Sequence, residues 1–179
     1  AIIYVVVATV VWLACRKDLR ASMPGNRSFS PVHLLWVPVA WIGGLVVAGI
    51  LASIVGGVET SVNQMGIEAM SEQIPYWALF PVLVILGPLV EEYFFRHLLI
   101  GKLSRRNKAL TWPLVFVSAA IFAGIHFVGS GDMQLVTLVP YLALGIVISS
   151  FYVLMRKSLF MAWMLHAFQN FMALNLMYL

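Results

Sequence analysis

Glu91, Glu92 and Arg96 stand inside an otherwise apolar stretch that runs from Tyr76 to about Ile100. A charge at the depth of a bilayer core costs on the order of 3 kcal/mol on insertion scales, so residues of this kind are candidates for function by default. Glu92 and Arg96 are four apart, share a helix face and can pair. Glu91 lies about 100° around the helix and cannot use Arg96 from the same rotational position. Glu92 therefore reads as structural and Glu91 as available. His126 closes a further apolar run, and His166 and Asn170, also four apart, project from one face of another. His97, beside the basic loop, and His33 read as interfacial, with no catalytic role.

Two related chemistries suit this set. Without metal, Glu91 takes a proton from a water held by His126. His166 and Asn170 then donate to the oxyanion that develops at a carbonyl. With metal, His126, His166 and Glu91 make a two-His-one-carboxylate zinc site with an open position for water. If Glu91 is a ligand, another group must act as base, and Glu92 is tied to Arg96. If Glu91 is the base, too few ligands remain for tight binding. The division of roles favours the metal-free route, with no cofactor and zinc as the alternative. Both routes hydrolyse a peptide bond in or beside a membrane. The motifs H-E-x-x-H and G-x-S-x-G are absent, so the soluble zinc-protease and serine-hydrolase readings have no support.

The elements that must position these groups are apolar spans. Of 179 residues, 62% are hydrophobic and 10% charged, whereas a soluble domain carries about a quarter charged residues. A water-soluble enzyme, a nucleic-acid binder and a disordered tail are excluded on that ground. The single cysteine, Cys15, excludes an internal disulfide and a cysteine metal cage. At roughly 20 residues per span, the expected fold is all-α: a polytopic transmembrane bundle of about six spans in one membrane-embedded domain, 1–179, with the catalytic motifs within 77–179. The runs are Ala1–Cys15, Val32–Gly56, Tyr76–Ile100, Leu110–Val128, Leu135–Met155 and Leu159–Leu179. The first is short and begins without methionine or a preceding basic segment. It reads as a truncated or renumbered start, not a signal peptide. Pro24-Gly25-Asn26 supplies turn chemistry in the first loop, and Gly129–Gln134 a tight turn. Gly87-Pro88, just before the acids, predicts a kink. Apolar residues at Val58, Val62, Met65 and Ala69 predict a short interfacial helix or a lid.

Charge sets the orientation. Ten of the eleven Lys and Arg residues lie in the first, third and fifth loops, and the alternate loops carry Glu59, Glu68, Glu72 and Asp132 with no basic residue. The positive-inside rule puts the basic loops in the cytoplasm.

Three motifs stand in order on successive spans. Glu91-Glu92-Tyr93-Phe94-Phe95-Arg96 reads E-E-x-x-x-R, Phe122 to His126 reads F-x-x-x-H, and His166 to Asn170 reads H-x-x-x-N. Together they resemble the CAAX prenyl protease and bacteriocin-processing family, also called CPBP or Abi, over roughly Trp77 to the C-terminus. The resemblance implies an α-helical intramembrane endopeptidase acting on a peptide or protein substrate at the bilayer. Glu91 and His126 would activate water, His166 and Asn170 would stabilise the oxyanion, and Glu92 and Arg96 would support them. Family members include eukaryotic processors of prenylated tails and bacterial proteins linked to bacteriocin immunity or peptide maturation. The small loops point to an integral protein of a bacterial plasma membrane. The rival readings are a non-proteolytic immunity or scaffold protein and a proton or cation transporter. One tension remains in this linear picture. Counting from the basic loops, Glu91 and His166 lie about 12 to 15 Å deep, but His126 lies about 24 Å away.

Overall fold

The computed structural model describes residues 2–23, 30–126 and 134–179. The described residues form helices and connecting turns, with no strand among them. Six long helices follow in order: α1 (Ile2–Ala21), α2 (Pro31–Val55), α4 (Tyr76–Arg105), α5 (Lys108–Ile125), α6 (Leu135–Leu154) and α7 (Leu159–Met177), with a short α3 (Val62–Ser71) after α2. The expected turns at Pro24-Gly25-Asn26 and over most of Gly129–Gln134 lie outside the described residues.

Four of these helices, α2, α4, α5 and α6, are long and apolar enough to cross a membrane. The expectation of about six spans is not matched by that measure. Helix α1 falls short because Arg16, Lys17, Asp18 and Arg20 fill its last turns. Helix α7 falls short because His166, Gln169, Asn170 and Asn175 dilute its apolar residues.

Several boundaries shift for local reasons. Helix α2 stops at Val55 because Gly56, at φ 89°, adopts the left-handed cap that only glycine takes without strain. Helix α3 starts at Val62 rather than Val58, where the Ser61 hydroxyl accepts from the Gln64 N–H. Most of the expected basic loop after Ile100 is instead helical as far as Arg105.

Pro88 is absorbed rather than allowed to break α4. The turns over Pro81–Leu86 and Tyr93–Lys102 are wound wide, in the π manner, with ordinary α-helix between them. Wide turns of this kind are frequent at functional sites. In the first of them the Gly87 N–H reaches back to the Val82 carbonyl. The next bond in that series would come from Pro88, which has no N–H to give. The Leu83 carbonyl is left over and accepts instead from the Asn170 side chain at 2.8 Å. Two residues on, the Ile85 carbonyl accepts from Trp163 Nε1 at 3.0 Å. Helix α7 thus fills the hydrogen-bonding gap left by Pro88 in α4, as a bilayer interior requires, and adds a second side-chain bond at Ile85.

Helices α5 and α6 approach closely at Gly145. A Cβ there would lie 2.9 Å from the Ala119 Cα. Lipid is as apolar as leucine, so close packing of small residues holds such helices together. Around this contact, Ile100 of α4, Val115 of α5, Ile148 and Tyr152 of α6, and Met161 and Leu165 of α7 form the core. Helix α1 packs through Val11, Cys15 and Leu19 against Leu89 and Leu159.

Gly145→Val should therefore destabilise the bundle by about 1 to 3 kcal/mol, the usual cost of overpacking. Gly43→Ala, whose Cβ meets nothing within 4 Å, should be neutral. Thermal unfolding of the purified variants in detergent measures both, and equal melting of the two would contradict the packing described.

Candidate active site

The centre of the bundle is polar. Arg96 on α4 is fully buried, and so is Glu92 one turn before it. Arg96 Nη1 lies 2.8 Å from Glu92 Oε1. The remaining guanidinium donors reach α6: Nε donates to Ser149 Oγ at 3.3 Å, and Nη2 to the Gly145 carbonyl at 3.4 Å. The Ser149 hydroxyl donates to Ser118 Oγ on α5 at 3.5 Å, and Ser118 donates to the Phe95 carbonyl at 2.9 Å. Each hydroxyl accepts once and donates once, so this chain runs in one direction from Arg96 back to its own helix. The guanidinium also lies over the Phe122 ring, 4.7 Å from its centroid.

That clamp fixes the first histidine. Glu92 Oε1 accepts from His166 Nδ1 at 2.8 Å. The same oxygen already accepts from Arg96 and acts as carboxylate, so the proton of this bond belongs to His166. The other nitrogen, Nε2, faces Glu91 Oε2 at 3.7 Å. His166 is nearly buried, at 3% of its side chain, whereas Glu91 keeps 27% exposed. The two adjacent acids therefore occupy different surroundings: Glu92 is enclosed and doubly engaged, and Glu91 is open to an approaching molecule.

The second histidine stands apart. His126 caps the C-terminal end of α5. Its Nδ1 donates to the Phe122 carbonyl at 2.7 Å, and its ring stacks on Tyr141 of α6 with centroids 4.2 Å apart. With Nδ1 protonated by that bond, Nε2 is the nitrogen with a free lone pair. Phe122 lies between the two imidazoles, 4.7 Å from the His126 centroid and 5.8 Å from that of His166. Among the described residues, no hydrogen bond or ion pair joins His126 to Glu91, Glu92 or His166. The structure thus assembles Glu91, Glu92, Arg96 and His166 directly, and brings His126 to them only through the Phe122 ring.

Asn170 lies one turn beyond His166, and one amide hydrogen is held by the Leu83 carbonyl. Among the described residues the other N–H makes no hydrogen bond. Among the described residues no three His, Cys, Asp or Glu side chains form a group that could hold a metal ion. The alternative zinc set of His126, His166 and Glu91 is not gathered at one point among these residues, and the His126 ring stacks on Tyr141. His97 lies 3.1 Å from Asp18 and stacks on Tyr93, which ties α1 to α4.

Ser118, Ser149, Gly145 and Tyr141 were not read as site residues from the sequence. The signal for the serines was present, since a hydroxyl deep in an apolar span needs a partner. The identity of that partner depends on how three helices meet.

Residues 73–172 match the family model described as type II CAAX prenyl endopeptidase, Rce1-like. A curated relative, the membrane-embedded CAAX protease MroQ of Staphylococcus aureus (strain USA300), is 26% identical over 176 residues, covering 94% of this chain and 69% of its own length. No solved structure matches the chain. The matched region spans α4 to α7 and contains the buried cluster and all three motifs; the chain belongs to the Rce1-like CAAX endopeptidase family.

Proposed function

We propose that this protein is an intramembrane endopeptidase that cleaves a membrane-associated peptide or protein with water activated by Glu91 and His126. The observation that carries the reading is the pair of unlike carboxylates flanking one imidazole. Glu92, held by Arg96, accepts the Nδ1 proton of His166, and Glu91 stands open at Nε2. In the hydrolytic step, Glu91 accepts a proton from the attacking water, and His126 accepts through Nε2 from the opposite wall. The water oxygen adds to the scissile carbonyl. The resulting oxyanion takes hydrogen bonds from His166 and from the second amide N–H of Asn170. The proton taken by Glu91 then passes to the leaving amine. In this reading no metal takes part. The protein lies in a bacterial plasma membrane with its basic loops cytoplasmic.

The test is a comparison of new protein termini in membranes of cells expressing the wild type or a variant. Glu91→Gln keeps the size of the side chain and should lower cleavage by about 10² to 10⁴, the usual share of a general base. Glu92→Gln should instead reduce thermal stability, by about 3 to 5 kcal/mol if Arg96 is left unpaired. A folded Glu91→Gln protein that yields the same termini as the wild type would sink the assignment.

Purified protein should contain less than one zinc per chain and should keep its activity in 1,10-phenanthroline. Activity that vanishes with stripped zinc and returns on its addition would favour the metal route instead.

Orientation is tested with single cysteines in a Cys15→Ser background. Arg106→Cys and Gln73→Cys are at exposed positions on opposite ends of the bundle. An impermeant thiol reagent applied to intact cells should label Gln73→Cys and spare Arg106→Cys. The reverse pattern would invert the topology.

A further inference from the structure

A cleft of about 300 Å³ opens at the end of the bundle away from the basic loops. The approach to α3, the first turns of α6 and the last turns of α7 surround it. Its inner wall includes Asn170 and Tyr141, the second of which carries the His126 ring. It therefore borders the candidate site at Asn170 and opens toward the end that bears the acidic residues. Its volume is at the lower end of ligand pockets, which suits a short stretch of peptide.

Most polar groups in this cleft are already engaged. Tyr141 Oη and Ser61 Oγ lie 2.7 Å apart, and Gln169 Oε1 accepts from Trp41 Nε1 at 2.6 Å. Glu59, which lines the same cleft, differs. Its backbone N–H reaches the Val136 carbonyl at 3.4 Å and ties the segment to α6. Its carboxylate has no hydrogen bond or ion pair among the described residues. The sequence also offers it no cation at this end: no Lys or Arg occurs between Arg27 and Arg96, between Lys108 and Arg156, or after Lys157. Glu59 is exposed on the cleft wall with no cation beside it among the described residues, so the cleft presents an unbalanced negative charge to whatever enters it.

We propose that this cleft is the substrate-peptide subsite and that Glu59 selects a segment carrying a lysine or arginine on the acidic-loop side of the scissile bond. The inference rests on the proteolytic reading for its biological meaning, but its test does not require cleavage. The full chain is placed in phosphatidylcholine nanodiscs. Binding is measured for short leucine-alanine peptides, capped at both ends, that differ only in a single Lys, Gln or Glu near one end. The wild type should bind the Lys peptide about five-fold more tightly than the Gln peptide, the scale of one partly exposed charge pair. Glu59→Gln should abolish the difference, and Glu59→Lys should move the preference to the Glu peptide. Glu72→Gln removes an acid from the same end outside the cleft lining and should leave the Lys preference intact. Equal binding of Lys and Gln peptides to the wild type overturns the proposal. So does a Lys preference that survives Glu59→Lys, or one that Glu72→Gln erases equally. The same measurements in a Glu91→Gln background separate the two ideas, because loss of the proteolytic assignment leaves the binding result unaffected.

Discussion

The buried ion pair of Arg96 and Glu92 is the constraint on which the rest of this molecule depends. Removing two charges from water is costly, and their attraction compensates only when the remaining donors and acceptors are also met. Here the guanidinium meets a carboxylate on its own helix and a hydroxyl and a carbonyl on α6, while Glu92 Oε2 has no hydrogen-bond partner among the described residues. Those demands dictate where α6 must lie. They also explain why Gly145 has no side chain to spare: its carbonyl must approach Arg96 while its Cα sits against Ala119. A packing requirement and an electrostatic one meet in a single residue.

The same pair organises the chemistry. Holding Glu92 with Arg96 leaves that carboxylate free to define which nitrogen of His166 carries the shared proton. The adjacent Glu91 is a neighbour in sequence, but it faces another side of the helix and is partly exposed. Two identical side chains thus gain different characters from about 100° of rotation. No feature of either residue alone would separate them.

Much of the arrangement could be read in the chain before any fold was known. The apolar runs, the pairing of Glu92 with Arg96 and the common face of His166 and Asn170 all follow from helical spacing, which is a local property. What could not be read depends on more than one helix. The direction of the serine chain from Ser149 to Ser118 needs α4, α5 and α6 in place. The position of His126 was the weakest point of a linear depth count. The structure leaves it a turn beyond Phe122, with an aromatic ring between the two imidazoles. The wide turns of α4 were equally illegible, because a proline announces a lost hydrogen bond but not which distant side chain will take the vacant carbonyl. Helix α7 shows the converse: the polar residues that make it a poor span by composition are those that serve its neighbours.

The vacant carbonyl also bears on how the protein is made. An α4 released into lipid before α7 would carry a bare acceptor at Leu83 and a Glu92 lacking its imidazole. Each exposed backbone group costs several kcal/mol in hydrocarbon. The helix that bears both acids is thus an unfavourable tenant of the membrane until synthesis has delivered Trp163, His166 and Asn170. Insertion and maturation of the centre become one event. A nascent chain halted after α6 lacks Trp163, His166 and Asn170, so the candidate site is complete only once α7 has docked.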